Sequence, residues 1–511
     1  MGNSSWDVDV LAPLVKSTLT INNIIPDTVL HKNSDNSLEI VYKNSLYSFS
    51  SEKLFKIPDT TLTNPYFYPG TATSIAPGGM IIPVVPNDIK YPLGDVELTK
   101  AIIRSGKMLL IIKSGIKGLV DFNYKIPCMT SSSNGDTFNI TVTIPAATSS
   151  ANGIYSGIFD LSGYKVNLTG ANGTSFNRMM TNFSAIVSPI VHGGYTTTIN
   201  HGDAVQISNT FIGLVPQYAK GYFGNTVTNV TDTTSFSLFR HIIGGSLNLA
   251  DVDIGLSIEN SIGADFKIGI NNLSSINSRS GAKVSLSPIT SPININRAVD
   301  NNGNVTASTY SISFTPSNSN ILAFVENLPD KLSSKLSFEI NPPPIGNAGN
   351  SDFVYYDKLI KTNFNMTIPL SLIANNLTMA DTVNFTMNAN TTNVNSGNLY
   401  LYFDNGFPFT AQAQLFLMNA QSAITDSLVS APNSILAPSL DVNYICIGKK
   451  ETKLTIPVNE NKMNELRAAK KMYIKIKFNT VYQPKYLKIY SFYQMNVKVV
   501  GDFNYTVGKK N

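Results

Sequence analysis

Apolar and polar residues alternate along most of this chain, and one version of the alternation occurs three times. Ile254–Ile270 reads IGLSIENSIGADFKIGI, Leu399–Leu415 reads LYLYFDNGFPFTAQAQL, and Met108–Tyr124 reads MLLIIKSGIKGLVDFNY. Each copy alternates, breaks at a turn-forming pair (Asn260-Ser261, Asn405-Gly406 or Ser114-Gly115), and alternates again. A period of two marks a strand that buries one face. Asn, Ser and Gly are residues that let a chain turn. The copies lie about 146 residues apart.

The flanking segments keep the same order. Tyr310–Asn320, Lys453–Asn461 and Tyr164–Thr174 each read as a short strand running into a polar turn, with Asn318, Asn459 and Asn172 in matching places. Ile321–Leu328 and Lys462–Lys471 each have the length of one short helix, and the strands Leu336–Ile340 and Ile474–Phe478 follow. Upstream, Asp232-Thr233 leads to Phe236 and Asp381-Thr382 leads to Phe385. Self-similarity at a fixed period marks repeated structural units. The expected fold is all-β, an elongated tandem of about three β-sandwich-like repeat units with a few short helices. Its parts are an N-terminal arm and hairpin (1–75) and repeat units over 76–220, 221–366 and 367–511. Residues 6–21 read as an extended arm, and Ser37–Ser50 as a hairpin turning near Lys43-Asn44. The prolines between Pro58 and Pro92 predict a long surface connection. Doubly wound and TIM-barrel folds need long alternating helices, and the pattern contains none.

Composition narrows the class. A chain of 511 residues suits about three domains. Charged residues make up 14%, well below the roughly 25% of an average soluble domain. Asn, Ser and Thr supply the polarity instead, as in exported β-proteins and capsid proteins. The net charge is only +5, with no Arg/Lys stripe interleaved with aromatics, so nucleic acid is not an expected partner. The cluster Arg467–Lys471 with Lys475 and Lys477 reads as a solvated face. Cys128 and Cys446 fall in different units and read as buried free thiols. No apolar run approaches the roughly 20 residues of a membrane helix, so no transmembrane segment is expected. Met1–Ser5 reads as a short polar leader standing where a native export signal has been removed.

Candidate chemistry is sparse. No HExxH, GxSxG, phosphate-loop or dinucleotide pattern occurs. His192 and His201 flank a Gly-Gly-Tyr-Thr stretch, but a pair without a third ligand makes no metal site. Asp251 and Asp253 share one side of a strand, as do Asp7 and Asp9. Solubilising a strand edge explains them better than glycosidase chemistry does. Asp300–Val305, DNNGNV, has the oxygen donors of a calcium loop but lacks the closing Glu, and reads as an Asn-rich turn. Tyr355-Tyr356 and Tyr490–Tyr493 are aromatic strips that fit a sheet surface or core before a ligand contact. No catalytic residue, metal ligand or cofactor is therefore expected, and the chain is read as a non-enzyme.

Trp6-Asp7-Val8 with Ala12-Pro13-Leu14-Val15, the Gly221–Gly224 turn GYFG and the IEN-type repeats together resemble exported, lipoprotein-type, β-rich surface proteins of Bacteroidetes bacteria. That resemblance spreads over most of the chain and brings no catalytic residues with it. The strand–Asn–strand pattern is also weakly similar to late-embryogenesis-abundant type 2 domains and tubular lipid-binding modules, which implies an apolar groove. The expectation is a non-catalytic exported protein at the bacterial outer membrane or cell surface. It would scaffold an assembly or mediate adhesion through protein partners. One alternative is a carrier of lipid or another apolar ligand, with a continuous groove whose candidate lining is Ile258, Ile262, Phe403 and Phe407. Another is a viral capsid or spike protein.

Overall fold

The computed structural model describes residues 6–23, 25–48, 57–190, 196–344, 349–385, 394–429 and 434–507. The protein is all-β, with antiparallel sheets and, among the described residues, two short α-helices, α1 (Ile321–Glu326) and α2 (Glu460–Ala468).

The breaks at Asn260-Ser261 and Asn405-Gly406 are sheet-to-sheet corners, while Ser114-Gly115 is a corner between two strands of one ten-stranded sheet. Asp253–Asn260 and Phe266–Asn277 lie in different sheets, as do Val394–Asn405 and Phe409–Met418. Asn260 is fully buried. Its amide donates to the carbonyls of Ala264 (3.0 Å) and Asn296 (2.8 Å), and its Oδ1 accepts from the Ile262 N–H (2.9 Å). Asn405 repeats this set with Phe409 (2.9 Å), Leu436 (3.0 Å) and the Phe407 N–H (2.9 Å). At the first corner the buried Ser114 Oγ accepts from the Ile116 N–H at 3.2 Å. A buried corner cannot give its peptide groups to a ladder or to water, so a side chain must satisfy them.

Strand order repeats with the corners. The second sandwich pairs Val227–Ser235, Lys331–Ile340, Phe266–Asn277 and Ala282–Ser285 in that order. The third has Ser371–Asn384, Lys471–Thr480, Phe409–Met418 and Ile424–Ser427 in the same places. The first has Met80–Lys90, Arg178–Val187, Val120–Ser131 and Thr137–Ile144. Here Tyr164–Asn167 pairs with both Glu97–Ser114 and Val120–Ser131, fusing the two layers along one edge. In the second and third sandwiches a helix precedes the strand at Lys331 or Lys471. The helix α1 buries Ile321, Phe324 and Val325, the i, i+3, i+4 stripe of an amphipathic turn. Asn459 caps α2 by accepting from the Lys462 N–H.

The opposite layers hold the main departure from the sequence reading. Each ends in a strand drawn from the N-terminal residues. Trp6–Thr20 pairs with Gln494–Val507 in the third sandwich. Leu38–Ser48 pairs with Ile360–Pro369 in the second, and Thr60–Phe67 with Ala204–Tyr222 in the first. The N-terminal residues are thus a strap that threads the three sandwiches in reverse order. No hairpin turns at Lys43-Asn44. Leu38–Ser48 is one strand, and the turn lies earlier, where Leu30–Lys32 folds back on it. The proline-dense stretch is strand-bearing too. Pro65 lies in Thr60–Phe67 and Pro86 in Met80–Lys90, both at sheet edges, where a missing N–H costs no ladder bond.

Two cores result. One belongs to the first sandwich, around Phe122, Tyr124 and Ile112. The other runs continuously through the second and third, from Phe266 and Phe338 through Leu249, Ile368 and Leu370 to Leu401 and Ala413.

Candidate functional site

Inward-facing residues of the second sandwich are closed off. Lys331–Ile340 alternates between exposed or half-buried and fully buried positions, with Leu332, Leu336 and Phe338 inside. The matching strand Lys471–Thr480 loses that alternation: it is half-buried at every position up to Asn479. Its inner residues Ile474, Ile476 and Phe478 are partly accessible because they face a cavity of about 370 Å³.

The cavity lies inside the third sandwich, toward its junction with the second. Leu377 and Met379 of Ser371–Asn384 continue the ceiling beside Ile476. Phe403 and Met495 line it from the opposite layer, and Phe407 and Phe409 at the corner. Ile40 and Ile368 belong to the second sandwich, while Leu19 and Ile21 come from the strap. Leu238, Phe239 and Ile242 enter from the segment that leads into the strand Ile242–Leu249, which adds itself to the ceiling through Ser371–Asn384. Polar side chains on the lining are few: Thr20, His241 and Asp381.

Of the four residues expected to line a groove, Phe403 and Phe407 are on this cavity. Phe407 stacks on Phe409 with centroids 6.2 Å apart. Ile258 borders a separate void of about 10 Å³ near Leu256 and Ile268, and Ile262 is wholly buried at its corner. The structure does not bring the four together on one cavity. The cavity residues that sequence reasoning missed are Ile474, Ile476, Leu377, Met379 and the segment LFRHI at 238–242. The signal in that segment was a basic pair, Arg240-His241, set inside an apolar run.

The other candidates resolve into structure. His201 sits exposed in a turn, its Nδ1 3.3 Å from the Pro69 carbonyl oxygen; His192 lies outside the described residues. Among the described residues no group of three His, Cys, Asp or Glu could hold a metal ion. Asp253 accepts from Ser313 Oγ, and Asp251 from the Val252 N–H. Asp300 closes the hairpin of Val299–Asn301 and Asn304–Thr306, accepting from the Gly303 N–H and from the Tyr355 hydroxyl at 3.0 Å. Burial first, and Asp300 next, push that phenol up to about 12. Cys128 and Cys446 are free and half-buried, and burial pushes both thiols up to about 11.

Comparison with known proteins adds little. No family model matches the chain, and no curated protein matches its sequence. Among solved structures it is similar to a "putative secreted protein" of Parabacteroides distasonis, 11% identical over 98% of this chain and 99% of the other, with a TM-score of 0.27. It is also similar to infectious bursal disease virus, Gx strain (11% identity, 95% and 86% coverage, TM-score 0.14), and to the Penaeus vannamei nodavirus (11%, 64% and 93%, TM-score 0.11). Likenesses this distant carry no argument about function.

Proposed function

We propose that this is a non-catalytic exported protein whose work is to bind an apolar ligand in the third sandwich. The observation that carries the reading is the cavity. Core truncations cost roughly 24 cal/mol for each Å³ left empty, so a sealed and empty void of 370 Å³ would cost about 9 kcal/mol, an upper bound for a cavity that opens to the surface. That equals the whole stability of many domains, about 5–15 kcal/mol. Apolar cavities do not hold ordered water, which leaves an apolar occupant to offset the cost. The volume falls in the usual range of ligand pockets, about 300–1,000 Å³. Export accords with the low charge and the Asn, Ser and Thr content.

The test is occupancy. Native mass spectrometry of protein purified under mild conditions is expected to show one bound apolar molecule per chain. Ile476→Trp, which fills the cavity from its ceiling, is expected to abolish that mass difference. A ligand-free wild-type chain that also fails to bind added alkyl compounds would overturn the reading.

Scaffolding or adhesion at a bacterial surface is the second reading, and one feature favours it. Ile154 and Ile158 stand 53% and 67% exposed on the edge strand Gly153–Asp160, next to Leu109 and Ile111 of Glu97–Ser114. An apolar strip beside a free edge suits a protein partner. Loss of co-purifying proteins on Ile158→Lys would support it.

A further inference from the structure

One edge of the first sandwich is left open. Gly153–Asp160 has a single ladder neighbour among the described residues, Glu97–Ser114. The register between them runs without a shift, from Gly153 opposite Ser114 to Asp160 opposite Lys107. Natural edge strands are usually blunted by proline, lysine or a bulge. Thr60–Phe67 carries Pro65, and Met80–Lys90 carries Pro83 and Pro86 with two shifts of register. Gly153–Asp160, GIYSGIFD, has none of these devices.

The main chain along this edge is in phase for a partner. The Leu161 N–H donates to the Gly106 carbonyl at 3.0 Å, and on the other side of Glu97–Ser114 the Gly115 N–H donates to the Ala204 carbonyl at 2.9 Å. Hydrogen-bonded pairs recur at every second residue of an antiparallel ladder. Both bonds give the same phase. Tyr155, Gly157 and Phe159 turn their peptide groups toward Glu97–Ser114, while Ile154, Ser156 and Ile158 turn theirs outward. The side chains of these last three are exposed as well, with Leu109 and Ile111 beside the isoleucines. No charged residue lies between Ile154 and Ile158, and the segment reads Ile-x-Ser-x-Ile from either end.

We propose that the partner on this edge is a second copy of the chain, with Gly153–Asp160 antiparallel to itself about a twofold axis at Ser156. Ile154 then faces Ile158 of the second copy, Ser156 faces Ser156, and Ile158 faces Ile154, each pair exchanging two main-chain hydrogen bonds. A twofold contact demands this kind of self-complementarity. The two isoleucine pairs lie on one face of the joined sheet, where apolar cross-strand neighbours stabilise each other and no like charges meet. The inference rests on the apolar strip of the surface reading and names its partner, and its test separates the two.

Sedimentation equilibrium of the full chain is expected to give a dimer at micromolar concentration. S156P removes an outward N–H, which costs no ladder bond within the chain, and breaks the shared ladder at its axis; it is expected to give a monomer. Cross-linking reads the register. Two copies of S156C would place their Cα atoms about 5.5 Å apart, inside the disulfide range of about 4.4–6.8 Å, and are expected to form an oxidised dimer. Two copies of I154C would lie about 13 Å apart and are expected to stay reduced, whereas I154C mixed with I158C is expected to cross-link. A dimer that S156P leaves intact, or I154C cross-linking as readily as S156C, overturns the self-pairing. A monomeric wild-type chain that loses a co-purifying protein on I158K overturns it too and leaves the surface reading standing. A monomer that co-purifies with nothing overturns both. If S156P fails to fold, the cross-linking pattern decides.

Discussion

A single side-chain amide holds each of two sandwich corners. Asn260 and Asn405 each donate twice and accept once, all to main-chain groups. Each buried group left unsatisfied costs about 1–3 kcal/mol. Asn260→Ala is therefore expected to cost roughly 3 kcal/mol or more in urea unfolding. Asn260→Asp, which keeps the acceptor but loses both donors, should be no better. A second residue-scale device ties the first sandwich to the second. The Asp352 carboxylate is buried between Arg297 (3.2 Å), the Phe223 N–H of the GYFG turn and the Asn341 amide. Burial raises its proton affinity above the ordinary carboxylate range, against the pull of these three partners. With the folded value raised, this group's stabilisation is full below the unfolded value and is lost as pH rises through the folded one. Arg297→Met strips away the opposing charge and is expected to cost about 3–5 kcal/mol at neutral pH. The loss should shrink as the pH is lowered and Asp352 takes up its proton; a loss that stays the same across that titration would contradict this account. The two thiols make a third case. With both pushed up to about 11, neither is expected to react with iodoacetamide in the native chain at pH 7.5, and both should react in urea.

Strands and helices were largely legible in the sequence, because a one-sided strand must alternate and a buried corner must carry a polar side chain. The break residues Asn260, Asn405 and Ser114 are visible for that reason, and the two short stretches that become α1 and α2 are visible by their length. What failed was pairing. Trp6–Thr20 meets a strand at the opposite end of the chain, with Trp6 opposite Val507, and nothing local encodes a partner so distant. Prolines misled because their rule concerns ladder donors, and an edge strand has donors to spare. The cavity was invisible for a different reason. Ile474, Ile476 and Phe478 are as apolar as Leu332, Leu336 and Phe338, and the space left between them and the opposite layer leaves no mark in either pattern. At this scale the strap gives a clear expectation. Deleting residues 1–20 exposes the edge of Gln494–Val507 and removes Leu19 and Thr20 from the cavity. Open edges recruit strands from other chains. Sedimentation should then show concentration-dependent association, reversed by a peptide of residues 6–20.

Across the whole molecule, the two cores suggest two cooperative blocks. The first sandwich has a core of its own, while the second and third share one that contains the cavity. Calorimetry is expected to resolve two transitions. A ligand at a hundred times its dissociation constant should stabilise only the block that binds it, by about 2.7 kcal/mol, leaving the other where it was. The strap also sets an order in time. Trp6–Thr20 is made before the strands Leu38–Ser48 and Thr60–Phe67, yet its partner, Gln494–Val507, is made after both of theirs. The partner of Thr60–Phe67 is complete at Tyr222, and that of Leu38–Ser48 at Pro369. The strap therefore zips up backwards as synthesis runs forwards, and Trp6–Thr20 waits longest for its partner. A chain cut short anywhere before Gln494 leaves Trp6–Thr20 unpaired, so closure of that edge certifies that all three sandwiches have been made.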